Sequence, residues 1–279
     1  MSICLGMIVK DEASDIERIL KDYRQYFDEV QITITSPNKR KEIEEICDKH
    51  KANHSYFEWI EDFAAARNFN KEICKSEWIF VIDADDVIEH PETIRDVAKK
   101  ADAEKLNIVF GYYLYGFDND GNCCAAHWKE RLVYNSPNLR WNKKIHENIV
   151  PVSMVGHKWE MDDRLLVRHA VKNDEGILES QKRNIKFLLD EYNQDKEKTD
   201  PRTLAYLGRV LFSFGDYKRA RYFLEKHIEL SGWDEDRHLS WCQLADIHRL
   251  QKDYKQAIAC GFEALAERPD LPDGYLAIF

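Results

Sequence analysis

The chain has 279 residues, a formal net charge of −10, and 44% hydrophobic and 12% aromatic residues. That length holds one large domain plus a smaller one, and that apolar content builds a real core, which excludes global disorder. The acidic balance excludes broad binding to a nucleic-acid backbone, which needs a concentrated basic face, so nucleic acid is not an expected partner.

Ile3–Val9 reads as a buried strand, followed at helical spacing by Ile16, Ile19, Leu20, Tyr23 and Phe27. Lys10 and Asp11 end the opening apolar run too early for a membrane span, and no basic residues precede it as in a signal peptide. Val30–Thr35 is a second strand, closed by Ser36-Pro37-Asn38. Ile43, Ile46 and Cys47 mark a second helix, Tyr56–Trp59 a short third strand, and Phe63 to Cys74 a helix leading into the apolar strand Trp78–Ile82. This alternation predicts an α/β fold, a mostly parallel sheet covered by helices, with ligands at the carboxyl ends of its strands.

Pro91 and the spacing of Ile94, Val97 and Ala101 announce another helix. Asn107–Gly116 and Glu130–Tyr134 read as strands joined by the turn Asp118-Asn119-Asp120-Gly121, and Ile149–Val155 and Arg164–His169 as two more. After Asp174 the pattern is wholly helical, with Ile177, Ile185, Leu188, Leu189 and Tyr192 on one stripe. Gly215-Asp216-Tyr217-Lys218-Arg219-Ala220 returns as Lys252-Asp253-Tyr254-Lys255-Gln256-Ala257, a period of 253 − 216 = 37 residues that suits helical hairpins. The expected domains are 1–172, a connecting helix over 173–200, and helical repeats over 201–279. Seven cysteines are scattered without a CxxC pair, as for reduced thiols in a cytosol, and the localisation expected is cytoplasmic.

Trp78-Ile79-Phe80-Val81-Ile82 runs directly into Asp83-Ala84-Asp85-Asp86. Crowded carboxylates repel one another unless a cation joins them, and oxygen ligands favour Mg²⁺ or Mn²⁺. Taken alone, the run fits equally a solvated acidic turn that caps the next helix.

With its neighbours, the run resembles the family 2 glycosyltransferases of the GT-A fold. Met7-Ile8-Val9-Lys10-Asp11-Glu12 resembles their first-strand nucleotide loop. Asp62-Phe63-Ala64-Ala65-Ala66-Arg67-Asn68 is similar to a helix start, and Trp78 to Asp86 to the strand ending Asp-Ala-Asp-Glu, with Asp86 for Glu. Trp141 to Glu147, ending Ile-His-Glu, and the region of Arg168-His169 also have counterparts. The tail resembles tetratricopeptide repeats, through Leu207-Gly208, Ala220, Trp241, Leu244, Ala245, Ala257, Ala264 and Pro269. Similar chains with such tails include peptide S-glycosyltransferases and lipopolysaccharide-type sugar transferases.

The resemblance implies transfer of a sugar from a nucleotide-diphosphate sugar, UDP-sugar favoured, with inversion. It implies that Ile8, Val9, Lys10, Glu12, Arg67, Asp83, Ala84 and Asp85 bind the donor. Asp83, Asp85 and His169 would hold Mn²⁺ or Mg²⁺, and Glu147, with His146 as substitute, would be the base. For Arg67 an ion pair with Asp62 or Glu61 is the bland alternative, for Glu147 one with Lys143 or Lys144, and for His169 a core histidine bonded to backbone; Trp128 and Trp141 are candidates to stack on sugars, with buried core the stronger reading for either taken alone. The family's uracil-binding Asp after the second strand is absent, with Thr35 and Ser36 in that stretch. A peptide, protein or glycan is the expected acceptor, and the repeats are a site for a partner or self-association. A nucleotidyltransferase lacks its glycine-rich basic loop here, and a decayed scaffold protein is disfavoured by the intact Arg67, Asp83, Asp85 and Glu147.

Overall fold

The run Ile3–Val9 forms strand β1, and the stripe of Ala13, Ile16, Ile19, Leu20 and Tyr23 is the buried side of helix α1 (Ala13–Tyr23). β2 (Glu29–Ile34), α2 (Arg40–Lys49), β3 (Asn53–Tyr56), α3 (Phe63–Ile73) and β4 (Trp78–Val81) continue the alternation. β5 (Asp86–Ile88), α4 (Ile94–Glu104), β6 (Ile108–Phe117), β7 (Cys123–Tyr134), β8 (Leu139–Asn142), β9 (Asn148–Pro151) and β10 (Trp159–His169) follow. This computed structural model describes residues 1–118, 120–170 and 174–278. Asn119 of the expected turn, the expected boundary at 172/173, residue 279 and the side chain of Ile177 lie outside the described residues.

One sheet runs in the order β3-β2-β1-β4-β7-β6-β10-β5. Its strands β1–β4, β6 and β10 point the same way, while β7 and β5 run antiparallel to their neighbours. The mostly parallel α/β sheet expected from the alternation is therefore the one that forms. β8 and β9 pair separately as an antiparallel hairpin. Gly6 of β1 makes room for α3, since a Cβ there would lie 2.8 Å from Asn70 Oδ1 and from Ile79.

Several strand boundaries differ from the sequence expectation. The third strand is Asn53–Tyr56, because its polar first residues pair with Gln31 and Ile32 of β2. The aromatics beyond it pack on α3 instead, Phe57 against Phe69 and Trp59 against Phe63. β7 begins at Cys123 and β10 at Trp159, both extended by pairing with β6 through residues with no apolar alternation. β9 stops at Pro151, and Val152, Met154 and Val155 are exposed. β5 and β8 were not foreseen.

The described residues fall into two compact units, Met1–Lys172 and Asn173–Phe279. The second contains α5 (Asp174–Gln194), α6 (Pro201–Ser213), α7 (Tyr217–Leu230), α8 (Asp234–Leu250), α9 (Tyr254–Glu267) and the short α10 (Pro272–Leu276). Asp216 and Asp253, one period apart, cap α7 and α9, each accepting the backbone N–H three residues on. Among the described residues no helix is long and apolar enough to cross a membrane. All seven cysteines are free thiols, with Cys4 and Cys74 in contact at 3.3 Å.

Candidate active site

The acidic run leaves β4, turns, and re-enters the sheet as β5. Asp86 Oδ2 accepts the backbone N–H of Asp83 at 3.0 Å, closing that turn on itself. From α1, Arg18 donates to the carbonyls of Ala84 (3.4 Å) and Asp86 (3.0 Å). β5 pairs with β10 in a register that sets Asp86 opposite His169, and the Ala170 N–H donates to the Asp85 carbonyl at 3.1 Å. Asp85, Asp86 and His169 thereby offer ligand atoms that all lie within 4.8 Å of one another. Two carboxylates and an imidazole are a donor set that could hold a metal ion.

Asp83 faces a different partner. Arg67 Nη2 donates to its Oδ1 at 2.6 Å, and Arg67 Nε donates to Glu147 Oε1 at the same distance. Lys129 Nζ stands 3.6 Å from the other Asp83 oxygen. Arg67 therefore pairs with Asp83 and Glu147, and its guanidinium lies 5.3 Å over the Trp141 ring. Burial opposes the charge on this 5%-exposed residue, but the two carboxylates outweigh it and push the guanidinium above its ordinary range. Burial likewise works against an ionised Asp83, and Lys129 and then Arg67 overcome it, holding that carboxyl well below the usual carboxylate range.

The helix and the hairpin meet through one backbone bond and the Asn68 side chain. Asp62 caps α3 by accepting the Ala65 N–H at 2.9 Å, and the Phe63 N–H donates to the Lys144 carbonyl at 2.9 Å. The Asn68 amide exchanges two 2.9 Å hydrogen bonds with the Trp141 backbone. In the β8–β9 loop Lys143 (φ 76°) and His146 (φ 51°) take left-handed conformations, which bends the chain so that Glu147 reaches Arg67. His146 directly precedes Glu147 in this loop.

The expected donor-binding residues are spread more widely. Ile8 and Arg67 line one small cavity with Asn70, Lys71 and Trp141, while Val9 closes β1 and Ala84 is buried in the core. Lys10 is exposed, and Glu12 accepts the N–H groups of Lys10 and Asp11 at 2.6 and 2.9 Å, ordering the loop it belongs to. Thr35 donates to the Val9 carbonyl at 2.9 Å, and Ser36 Oγ accepts the Asn38 N–H. Trp141 is buried against Arg67, whereas Trp128 is partly exposed and packs on Tyr112 at 5.1 Å between ring centres.

Sequence reasoning passed over Tyr113, Lys129 and Arg131. Lys129 and Arg131 alternate on β7, two cations in a strand that continues through buried Leu132 and Val133 to Tyr134. Period-two placement of charge beside apolar residues was the available signal. Tyr113 opposes His127 on the neighbouring strand, and its O–H donates to Asp86 at 3.0 Å. Burial first, then the Asp86 charge, push this hydroxyl well above the usual phenol range.

The sequence pattern of Glycosyl transferase family 2 matches residues 4–161, more than half of the 279 residues. The chain is 24% identical over 283 aligned residues to a TPR repeat-containing protein of Synechococcus elongatus, covering 96% of this chain and 67% of that protein. It is 26% identical over 249 residues to the SPbeta prophage-derived glycosyltransferase SunS of Bacillus subtilis, covering 85% of this chain. It spans 56% of the length of SunS. Among solved structures, a mannosyltransferase of Pyrobaculum calidifontis in complex with GDP-Man and Mn²⁺ is 14% identical, with a TM-score of 0.49. That match covers 83% of this chain and 76% of the mannosyltransferase.

Proposed function

The chain belongs to glycosyl transferase family 2, and from that premise we propose that it is a metal-dependent, inverting glycosyltransferase using a nucleotide-diphosphate sugar. The observation that carries this reading is the meeting of Asp85, Asp86 and His169 at the strand ends of the unit that holds the Arg67–Glu147 pair. Asp85 and His169 would hold Mn²⁺ or Mg²⁺, which when bound would neutralise charge developing on the leaving diphosphate. Asp83 and Arg67 face the ribose and phosphates of the donor, for which UDP is the favoured nucleotide.

Arg67 fixes Glu147 by one carboxylate oxygen, and the other takes the proton of the acceptor. The acceptor oxygen or sulfur then bonds to the anomeric carbon as the bond from that carbon to the diphosphate breaks. The nucleoside diphosphate leaves with the electron pair, and the configuration inverts. His146 is the substitute base. A peptide or protein side chain, or a glycan, is the acceptor, and the tetratricopeptide-like tail is a surface for a partner or for self-association. The relatives' names, a glycosyltransferase and a repeat-containing protein, support both halves of this reading.

Donor hydrolysis and sugar transfer by the pure chain, with and without Mn²⁺, test the proposal. Asp85→Asn removes charge while keeping size, so it is expected to abolish Mn²⁺-stimulated turnover. Undiminished turnover of that variant in EDTA refutes metal dependence.

A further inference from the structure

Arg67, Lys129 and Arg131 all reach the carboxylates of Asp83 and Asp86, and Lys129 is held unlike the two arginines. Phe80 of β4 stands opposite Leu132 of β7, and the two chains run on from there toward Asp83 and Lys129. Lys129 Nζ is 3.6 Å from Asp83 Oδ2, beyond hydrogen-bond length, and 5.1 Å from the centre of the Tyr113 ring. Arg131 lies over the same ring, but with 1% of its side chain exposed it donates to the Val81 carbonyl at 3.0 Å and to Asp86 Oδ2 at 3.2 Å. Arg67 is also buried, with Nε and Nη2 taken by Glu147 and Asp83. The Lys129 side chain keeps 24% of its surface exposed.

These differences decide which cation is free to meet a ligand. Moving either arginine strands a buried carboxylate, which is costly. A partly exposed ion pair without a hydrogen bond holds its lysine loosely, and an ammonium carries three donors on a flexible stem. Asp83 also keeps its 2.6 Å bond from Arg67 when the lysine swings away, so the exchange leaves no carboxylate without a partner. An anion arriving beside Asp85 and Asp86 meets repulsion, and the nearest mobile positive charge that offsets it is on Lys129.

We propose that Lys129 is a donor-binding residue, whose ammonium leaves Asp83 for a phosphate oxygen of the nucleotide diphosphate. Lysine binds phosphate in this way as a point charge, and the charge belongs to the chain itself. The inference rests on the nucleotide-sugar reading and adds to it a residue from β7.

Calorimetric titration of the whole chain with UDP and with GDP, in Mn²⁺, tests the contact. Lys129→Met keeps the stem and removes the charge, and is expected to weaken the nucleotide that binds about 10–100-fold. Lys129→Arg keeps the charge and should recover most of that loss. If Lys129 served only to neutralise Asp83, adding Asp83→Asn to Lys129→Met would restore the affinity, whereas the phosphate contact predicts that it stays low. Unchanged affinity in Lys129→Met, no recovery in Lys129→Arg, or restoration by Asp83→Asn overturns the contact and leaves the donor reading standing. Binding of neither nucleotide by the unmodified chain overturns the donor reading, and the contact with it.

Discussion

Arg67 holds two carboxylates with one guanidinium, its planar fork presenting Nε to Glu147 and Nη2 to Asp83 at 2.6 Å each. Removing it strands both acids in a site where Arg67 itself is 5% exposed. Arg67→Met is therefore expected to destabilise the fold by about 3–5 kcal/mol at neutral pH. The loss should shrink in acid. Asp83 has a depressed folded pKa, so its pairing contributes stability that is fully present above the unfolded value, about 3.9, and is lost as pH falls through the folded value. Without the guanidinium, protonation relieves the repulsion between the acids, so the two proteins should converge at low pH. Thermal unfolding of both from neutral to acidic pH measures this, and a gap independent of pH would contradict the role given to Arg67. The candidates at this site were readable because each sits in a short run with its own pattern. Tyr113 and Arg131 were not, because their partner Asp86 is far away in sequence (131 − 86 = 45 residues) and only the register of folded strands joins them.

At the scale of elements, β1, β2, β4 and the first three helices were legible because buried parallel strands are near-continuous apolar runs and the helices carry clean stripes, whereas the polar β3 was expected three residues too late. β5 is three residues long and β8 four, too short to show a period, yet β5 brings Asp86 opposite His169. The helical repeat was legible from its turn. Both Gly215 (φ 75°) and Lys252 (φ 62°) take the left-handed conformation just before the capping aspartate. Glycine adopts it without penalty, whereas a side chain there costs roughly 1–2 kcal/mol, partly offset by the freedom glycine adds to the unfolded chain. Lys252→Gly should therefore stabilise the α8–α9 hairpin by a few tenths to about 1 kcal/mol, and Gly215→Ala should weaken α6–α7 by about as much. Slower hydrogen exchange in the first turn of α9 would report the gain. Faster exchange in Lys252→Gly would show that the lysine side chain supports the turn in some other way.

Across the whole molecule, the net charge of −10 sets a repulsive background for any anionic ligand, so the proposed nucleotide donor would depend on the local cations and on the proposed metal. The candidate residues discussed, from Ile8 to His169, fall within the unit Met1–Lys172. A ligand that binds only the folded state stabilises it by RT ln(1 + [L]/Kd), about 2.7 kcal/mol at a hundredfold excess over Kd. For a unit of this size that corresponds to a rise in unfolding temperature of roughly 5–10 °C. Mn²⁺ with UDP should therefore raise thermal stability, and EDTA should reverse the rise. The same stabilisation should appear as hydrogen-exchange protection concentrated in β4, β5 and β10, the strands that carry or flank the acidic run and His169. Asp85→Asn serves as the control, because it alters one proposed ligand and leaves the Arg67 pairings with Asp83 and Glu147 in place. If Asp85→Asn keeps the full thermal shift and the same protected strands, the cation is held elsewhere. Protection confined to the β1–α1 loop and α3, and indifferent to Mn²⁺, would mean that the nucleotide binds without a metal. In that case neutralisation of the leaving diphosphate would fall to Arg67 and Lys129, the cations already gathered around Asp83.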